Sequence, residues 1–273
     1  MRTPAEKGRV FQELHKRPGL LLLPNPWDAG TAKLLESLGF EALATTSLGM
    51  SNALGRPDGE NAVSRAELIE NCRVIAEATD LPVNADLENG YADDPEEAAT
   101  ILRDAAAVGI VGGSIEDWSG EKIYDFDHAV ERVAAGVEMA RSLPIPFTFV
   151  ARAEGFGKGL KDLDDTIRRL QAFEKAGADV LYAPHLKDLA TMKLVASSVS
   201  KPLNVVMSAA DPDLTMAQIE SVGVKRISVG GALSRLALAA FMKGARDMKG
   251  GSFAWMRETM PSKDLKPVFR QRS

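Results

Sequence analysis

The sequence predicts an α/β fold, a (β/α)8 TIM barrel, from three observations. Eight short apolar runs alternate with eight helical segments along the 273-residue chain. The runs lack the polar alternation of a half-exposed strand, which is typical of parallel strands covered on both faces. Several helical segments end at a glycine, for example at Leu38-Gly39 and Ala176-Gly177, because glycine readily adopts the left-handed backbone that follows a helix. Eight such units in roughly 230 residues match a closed barrel better than a doubly wound sheet.

The elements follow one another in β-then-α order after one amphipathic helix that ends near Leu14. Short apolar runs bounded by proline, glycine or polar residues indicate the strands. These runs occupy residues 20–23, 42–46, 83–87, 113–115, 147–151, 180–183, 203–207 and 226–229. Segments with helical spacing follow at residues 29–37, 65–78, 95–108, 127–141, 163–176, 186–197, 216–222 and 233–243, and a long loop precedes the second of them.

We expect one barrel domain over residues 1–250, because no composition shift or linker divides this stretch. Residues 251–273 form a C-terminal extension that contains Phe253 and Trp255 and continues into a tail rich in proline and lysine. Aromatic side chains on a terminal segment favour docking, either onto a neighbouring subunit or onto the chain's own barrel.

Charge and composition exclude several classes of partner. The net charge of −5 and the pI near 5.4 argue against nucleic acid or an anionic membrane as the main partner. No apolar run approaches the roughly 20 residues needed to cross a bilayer, and the polar stretch 1–17 does not resemble a secretion signal. The single cysteine, Cys72, excludes an intramolecular disulfide and suits a reducing compartment. We therefore expect a cytoplasmic protein.

Two carboxylates, Asp86 and Glu88, end the third predicted strand. Side chains alternate along a strand, so these residues, two positions apart, are expected to point to the same side. Two anions on one face repel each other and favour a bound cation or a proton. A D-x-E pair alone is common, and two solvated carboxylates at a strand end are its simpler interpretation. The residues at the other strand ends favour a site.

In a (β/α)8 barrel the functional site lies at the carboxyl ends of the strands. There Asp86 and Glu88 are joined by Glu116 of the fourth strand and by Asp58 of the long second loop. Four carboxylates around one point require a divalent cation, and hard Mg²⁺, with Mn²⁺ as the alternative, suits oxygen ligands. Arg152 after the fifth strand supplies a planar cation for a substrate carboxylate or phosphonate. The set indicates a small dianionic substrate.

Five motifs stand together at these strand ends and loops: Thr46-Ser47-Leu48-Gly49, Gly55-Arg56-Pro57-Asp58, Ala85-Asp86-Leu87-Glu88-Asn89-Gly90-Tyr91, Ser114-Ile115-Glu116-Asp117 and Ala151-Arg152-Ala153-Glu154. Together they resemble the isocitrate lyase and phosphoenolpyruvate mutase superfamily, over about residues 22–231. The resemblance implies Mg²⁺-dependent chemistry on a 2-oxo acid through a pyruvate enolate. It also implies a homotetramer, a dimer of swapped dimers in which the eighth helix is exchanged between subunits.

The resemblance implies roles for the substrate-binding residues. The backbone amides of Ser47, Leu48 and Gly49 are expected to hold the substrate carboxylate, and Arg152 matches the substrate-binding arginine. Asn204, in the seventh predicted strand, is a further candidate substrate-binding residue.

The resemblance also implies the metal ligands. Asp86 and Glu88 match the pair that binds Mg²⁺ directly or through water, and Asp58 and Glu116 match outer ligands. Glu88 stands where many members have aspartate, and its longer side chain still reaches a metal-bound water.

Two differences from the family pattern, both in the loop after the fourth strand, limit the reactions that we expect. The carbon–carbon lyases of the family carry a cysteine in the loop after the fourth strand, whereas residues 118–125 here contain none, and Cys72 is expected in the core. A standard isocitrate or methylisocitrate lyase is therefore disfavoured. The same loop also lacks the lid segment expected of phosphoenolpyruvate mutases and phosphonopyruvate hydrolases. Leu48 replaces a glycine, which binding through backbone amides tolerates.

Without that cysteine, the proton donor is open. Tyr124, Lys122, His128 and His185 are candidates beside Arg152 in the catalytic set, and His185 gains weight from its position after the sixth strand. A histidine is nevertheless more often structural than catalytic.

We expect a Mg²⁺-dependent lyase or mutase that makes or breaks a C–C or P–C bond in a small 2-oxo acid. Decarboxylation or cleavage of an oxaloacetate-like acid needs no cysteine and fits best. The alternatives are phosphoenolpyruvate mutase or phosphonopyruvate hydrolase activity, and a non-catalytic carboxylate-binding barrel. A Schiff-base aldolase is disfavoured, because no predicted strand carries a lysine.

Overall fold

The computed structural model describes residues 1–59, 62–160 and 162–270, and it confirms the (β/α)8 barrel. Eight parallel strands pair in the order β1-β8-β7-β6-β5-β4-β3-β2. They are β1 (Leu21–Leu23), β2 (Leu43–Ala44), β3 (Val83–Asp86), β4 (Gly112–Glu116), β5 (Thr148–Arg152), β6 (Val180–Tyr182), β7 (Leu203–Val206) and β8 (Arg226–Ser228).

The seam between β1 and β2 is held by groups at the strand ends. The amide of Ala44 donates to the carbonyl of Pro24 at 3.1 Å. Asn25, which is 4% exposed, donates through Nδ2 to the carbonyl of Thr45 at 2.9 Å. Its Oδ1 accepts from the amides of Val229 and Gly230, both at 2.9 Å. One side chain therefore joins the ends of β1, β2 and β8 and nearly closes the barrel.

Helices cover the outside of the barrel. They are α1 (Pro4–Lys16), α2 (Ala29–Ser37), α3 (Ser47–Ala53), α4 (Arg65–Ala78), α5 (Pro95–Ala107), α6 (Phe126–Ser142), α7 (Leu163–Ala176), α8 (Leu189–Ser197), α9 (Met216–Ser221), α10 (Ala232–Lys249) and α11 (Ser262–Phe269). Side chains cap most of their amino ends: Ser64, for example, accepts from the amide of Glu67 at the start of α4, which satisfies an amide that the helix leaves free.

Apolar side chains fill the space between the strands and the helices. Phe149 of β5 is fully buried and lies against Gly136 of α6, where an added Cβ would stand 2.5 Å from the ring. At the amino end of the barrel, Phe11 of α1 is also fully buried, and its ring lies against Gly112 of β4. Helix α1 therefore packs across the end of the barrel opposite to the strands' carboxyl ends.

Three elements differ from the sequence prediction. The long second loop contains α3, and the eighth helix, α10, runs to Lys249 rather than to residue 243. The tail forms α11 despite Pro267 inside it, and α11 packs on α2. Within the described part of the chain, no helix is both long and apolar enough to cross a membrane.

Candidate active site

The carboxyl ends of the strands surround a cavity of about 270 Å³. Its lining includes residues from both sides of the barrel mouth: Ser47, Asp58, Asp86, Arg152, Tyr182, His185, Ser208, Gly231 and Arg235. Five of these were predicted site residues, namely Ser47, Asp58, Asp86, Arg152 and His185. Residues distant in sequence meet here because parallel strands end at the same edge of a barrel.

Arg152 is the centre of charge in this cavity. Its Nη1 lies 3.4 Å from Asp86 Oδ1 and 3.3 Å from Glu116 Oε2, and its Nε donates to Glu154. The side chain is 19% exposed and Glu154 is 2% exposed. Burial alone lowers the pKa of Arg152, but the carboxylates of Glu154 and Glu116 outweigh burial and raise that pKa well above its ordinary value. The guanidinium is therefore charged, because the three acids around it stabilise its charged form.

Asp86 is held in place from β2 and α3. Its Oδ2 accepts from the Ser47 hydroxyl at 3.1 Å and from the Ser47 amide at 3.4 Å. Its own amide donates to Thr45 Oγ1 at 2.9 Å. The carboxylate thus connects the start of α3 with Arg152.

Glu88 reaches the site by a different backbone path from the one predicted. Strand β3 ends at Asp86, and Glu88 has a left-handed φ of 50°, a conformation that residues other than glycine rarely adopt. Tyr91, also left-handed with φ 61°, donates its hydroxyl to Glu88 Oε1 at 3.1 Å. Burial and the charge of Asp86 raise the pKa of Glu88 to about 7.

The other two predicted metal ligands also carry perturbed carboxylates. Burial, followed by the charge of Asp86, raises the pKa of Asp58. Burial raises the pKa of Glu116 well above its ordinary value, although Arg152 opposes this effect. Negative charge therefore exceeds positive charge on this side of the cavity, which favours an added cation or proton. Among the described residues, no three or more His, Cys, Asp or Glu side chains form a ready-made metal cage.

The predicted carboxylate-binding amides lie at the start of α3. The Ser47 amide faces Asp86, while the Gly49 amide donates to Thr46 Oγ1 at 3.3 Å as part of the helix cap. A Cβ on Gly49 would stand 2.7 Å from Thr46 Cγ2 and 2.9 Å from Trp27 Cβ, so only glycine fits there. The side chain of Leu48 packs against Gly231 and lines the cavity.

His185 lies in the cavity wall with a left-handed φ of 68°. Its ring packs so closely on Gly157 that an added Cβ would stand 2.2 Å from Cδ2. Burial lowers the pKa of His185, so the imidazole is neutral at pH 7.

The structure places two predicted proton donors outside the lining of this cavity. Residues Trp118 and Ile123 form an antiparallel bridge, and Lys122 is exposed on the resulting hairpin. Tyr124 is buried next to the hairpin, where its hydroxyl donates to Asp93. A third candidate, His128, faces the backbone carbonyl of the same Asp93 at 2.9 Å.

The predicted substrate ligand Asn204 lies inside the barrel and is 1% exposed. Its Nδ2 donates to Ser228 Oγ at 3.2 Å, and its Oδ1 accepts from Arg226 Nε at 3.0 Å. Both ends of the amide are therefore used by neighbouring side chains. Cys72 is buried on α4, where burial raises its pKa to about 12, so its thiol stays protonated.

Tyr182 and Arg235 are among the cavity residues that were not predicted as site residues. Tyr182 ends β6 and its ring lies 4.9 Å from the Arg152 guanidinium, while Arg235 lies in the first turns of α10. The rule that selected the other residues, position at a strand end, could have found Tyr182. Arg235 lies seven residues beyond β8, so no strand-end signal marks it.

A buried ion pair supports the site from behind. Asp117, 3% exposed, accepts from the Glu154 amide at 2.7 Å. It also pairs with Arg169 Nη1 at 3.2 Å, and Arg169 donates to the carbonyl of Tyr124 at 3.0 Å. The loops after β4 and β5 are thereby fixed to α7, which positions Glu154 beside Arg152.

A TIM barrel with an arginine among acids at the carboxyl ends of its strands places these polar groups where barrel enzymes carry their active sites. Comparison with known proteins makes the class of enzyme specific. The profile of the phosphoenolpyruvate phosphomutase family matches residues 11–249, and the chain belongs to this family, within the isocitrate lyase and phosphoenolpyruvate mutase superfamily. Members of this superfamily are lyases and mutases that act on C–C or P–C bonds.

Individual relatives cover nearly the whole chain. An uncharacterized protein of Mycobacterium tuberculosis strain H37Rv is 31% identical over 245 residues, which span 88% of this chain and 89% of that protein. An oxaloacetate decarboxylase of Bradyrhizobium diazoefficiens is 28% identical over 258 residues, 91% of this chain and 84% of that one. A crystal structure of a lyase/mutase from Burkholderia cenocepacia J2315 is 46% identical with a TM-score of 0.95, and the match covers 98% and 97% of the two chains.

Proposed function

We propose that this protein is a Mg²⁺-dependent enzyme, with Mn²⁺ as an alternative metal, that decarboxylates or cleaves an oxaloacetate-like 2-oxo acid through an enolate of pyruvate. The observation that carries the proposal is Arg152, which lies at the barrel mouth in ion-pair contact with Asp86, Glu116 and Glu154. The relative named as an oxaloacetate decarboxylase supports this choice of substrate.

The residues present fit a magnesium ion by their chemistry. All four proposed ligands, Asp86, Glu88, Asp58 and Glu116, offer oxygen. Burial raises the pKa of Asp58, Glu88 and Glu116, and the charge of neighbouring acids adds to this effect, which favours a bound cation or a proton. Mg²⁺ keeps several waters and takes one or two direct carboxylates, so it needs no cage of three protein ligands. When bound, Mg²⁺ stabilises the negative charge that develops on the substrate oxygens.

The chain's own residues bind and orient the substrate. Arg152 offers a planar donor pair to a substrate carboxylate, and the start of α3 at Ser47 offers an amide and a hydroxyl that now face Asp86. Leu48 packs against Gly231 and forms part of the cavity wall. These groups would hold the substrate in a fixed orientation, where preorganised donors can stabilise the developing enolate.

The assay is release of pyruvate from oxaloacetate by purified protein, with and without Mg²⁺. We expect Asp86→Ala to reduce turnover roughly 100-fold or more, because it removes a proposed ligand of the metal that would stabilise the developing enolate. Asp164→Ala, which removes an exposed carboxylate from the first turn of α7, is the matched control and should keep full activity. Circular dichroism confirms that both variants are folded.

Assays with other 2-oxo acids distinguish the alternative functions. Turnover of phosphonopyruvate to pyruvate and phosphate would indicate a hydrolase. Interconversion of phosphonopyruvate and phosphoenolpyruvate, followed by phosphorus NMR because it releases no pyruvate, would indicate a mutase. If the protein binds Mg²⁺ and oxalate without turning over any of these acids, it is a carboxylate-binding barrel and the proposal is wrong.

We also propose a homotetramer, a dimer of dimers in which α10 is exchanged between subunits. Helix α10 exposes large apolar side chains, including Leu236 at 67% and Phe241 at 70%. Within the described part of the chain, its most extensive contacts are with α3 and with the short 3-10 turn Ala254–Glu258. Burying such side chains against a second subunit would contribute roughly 1.5–3 kcal/mol for each of them.

A further inference from the structure

Tyr182 occupies an unusual position in the site. It is 9% exposed and lines the cavity, and its neighbours in the barrel ladder are Arg152 of β5 and Asn204 of β7. The ring stacks near the Arg152 guanidinium at 4.9 Å. Its hydroxyl interacts with Ser228 of β8, two strands further round the barrel. The phenol therefore belongs to the cavity wall on the side formed by β5 to β8, next to the Arg152 guanidinium.

Below Tyr182 lies a buried cation that the proposed reaction does not otherwise use. Arg226 of β8 is 2% exposed, and the structure shows no acidic partner for it within the described residues. Its Nε donates to Asn204 Oδ1 at 3.0 Å, and its Nη1 lies 3.5 Å from His15 Nε2. A buried charge without an opposite charge costs several kcal/mol. Such a cost is commonly associated with function rather than stability.

A chain of polar contacts connects this cation to the cavity. Arg226 donates to Asn204, and Asn204 donates to Ser228 Oγ at 3.2 Å. Ser228 comes next to Tyr182 in this chain, and its interaction with the phenol opposes the rise that burial causes in the pKa of Tyr182. Because Ser228 Oγ already accepts from Asn204 and hydrogen bonds in such chains polarise one another, positive potential from Arg226 is transmitted towards the phenol oxygen. The same potential, with that of Arg152 at the ring, would stabilise a phenolate.

We propose that Tyr182 is the catalytic acid of this site, which delivers its hydroxyl proton to C3 of the substrate enolate, and that Arg226 acts through Asn204 and Ser228 as a positioning residue for it. This inference rests on the proposed function. It supplies the proton donor that the missing loop cysteine leaves unassigned. Among the predicted donors, Lys122 and Tyr124 lie outside the cavity lining, and His185 is neutral.

The step balances without another reactant. Loss of carbon dioxide leaves its bonding electron pair in the enolate of pyruvate. The enolate π pair then forms a C–H bond at C3 while the O–H bond of Tyr182 breaks, and the two electrons of that bond remain on the phenolate. Arg152 and Arg226 offset the phenolate charge until a water proton restores the hydroxyl on product release. Burial raises the pKa of Tyr182 to about 12, so the acid form is present at all physiological pH values.

The reverse step, removal of a proton from the methyl group of pyruvate, tests the role of Tyr182 separately from carbon–carbon cleavage. In D₂O with Mg²⁺, the wild-type protein should incorporate deuterium into the methyl group of pyruvate, measured by proton NMR. Tyr182→Phe keeps the ring beside Arg152 and removes only the hydroxyl. We expect it to lose deuterium incorporation roughly 100-fold or more, the usual contribution of a general acid. Its release of carbon dioxide from oxaloacetate should fall much less.

Ser228→Ala tests the positioning part, because it breaks the chain without touching the phenol ring. Its rate of deuterium incorporation should fall while the KM for pyruvate stays unchanged. Tyr182→Leu, which removes the ring as well, should also impair carbon dioxide release from oxaloacetate and raise KM. Circular dichroism and unfolding in urea show whether each variant keeps the fold.

The outcomes that overturn the inference are distinct from failure of the proposed function. If Tyr182→Phe exchanges deuterium like the wild type, Tyr182 is not the acid. If deuterium incorporation and carbon dioxide release fall by the same factor, the hydroxyl positions Arg152 and donates no proton, and the inference is again wrong. If the wild-type protein neither exchanges pyruvate nor turns over any 2-oxo acid, the proposed function fails and the acid role fails with it.

Discussion

At the scale of single residues, the site is governed by one guanidinium and an excess of carboxylates. Arg152 contacts three acids, so its charge is already compensated before any substrate arrives. Burial raises the pKa values of Glu88, Asp58 and Glu116, and repulsion from neighbouring acids adds to this effect. A divalent cation would relieve this repulsion and release Arg152 towards a substrate carboxylate.

His15 provides a pH dependence of stability that is independent of the site. Its Nδ1 lies 2.8 Å from the carbonyl of Phe11, so Nδ1 carries the proton and Nε2 faces Arg226. Burial, followed by the charge of Arg226, lowers the pKa of His15 from 6.5 to about 3. Between pH 6.5 and about pH 3, His15 binds a proton in the unfolded chain but not in the folded chain. The free energy of unfolding is therefore highest above pH 6.5 and falls as the pH is lowered through this range.

We therefore expect the free energy of unfolding to fall by a few kcal/mol between pH 7 and pH 4 because of this residue. Replacement of the imidazole in His15→Gln should flatten that dependence, as measured by urea unfolding at several pH values. The surface variant His128→Gln is the control and should retain the wild-type slope. Equal slopes for wild type and His15→Gln would contradict the interpretation.

The sequence predicts the position of a site residue best at the end of a strand, because the strand sets the direction of its side chain. Asp86 and Arg152 were predicted because each ends a strand, and the structure brings them within 3.4 Å. Lys122 and Tyr124 follow β4 in a segment that folds back on itself through the bridge between Trp118 and Ile123. The periodicity of the strands does not predict this hairpin. Asn204 lies two residues before the end of β7, deep enough for barrel neighbours to use both ends of its amide.

At the scale of elements, the packing of helices on strands depends on a few positions without side chains. Gly136 of α6 lies on the Phe149 ring, where a Cβ would stand 2.5 Å away. Gly136→Ala must therefore push α6 away from β5. We expect a loss of about 1–3 kcal/mol in the free energy of unfolding, as is usual for overpacking, measured by urea denaturation.

The matched control is Ala134→Gly, an exposed site on the same helix. It should cost about 1 kcal/mol or less, the ordinary propensity difference, without any change in packing. If Gly136→Ala proved as stable as the wild type, the close contact between α6 and Phe149 would not exist in solution.

Element boundaries were predicted well where burial is uniform and poorly elsewhere. The strand and helix order is confirmed, and α7 (Leu163–Ala176) matches its predicted range, because its apolar stripe and the following Gly177 agree. The whole of α3 and the whole of α11 were missed. Both are short, and Pro267 inside α11 argues against a helix by propensity, whereas packing on α2 supports one.

At the scale of the whole molecule, the apolar face of α10 predicts assembly. Phe241→Glu places a charge in the proposed interface, which should dissociate the assembly, because burying an unpaired charge is costly. Sedimentation at micromolar concentration should show a lower mass for this variant than for the wild type.

Leu38→Glu is the control for that experiment. Leu38 is similarly exposed, at 74%, but it stands at the end of α2, away from α10, so the mass should stay that of the wild type. A monomeric wild-type protein would contradict the proposed tetramer directly.

The sequence by itself determined the class of fold and the chemistry of the barrel mouth. Alternating apolar runs and helices allow few topologies other than a barrel, and acids at strand ends must then share one edge. Only the tertiary structure decided which groups meet: the Tyr182 ring beside Arg152, Arg226 beside Asn204, and the left-handed Glu88 beside Tyr91. The reason is physical, since periodicity fixes the direction of a side chain along its own strand. Distances between strands depend on how the whole barrel packs and closes.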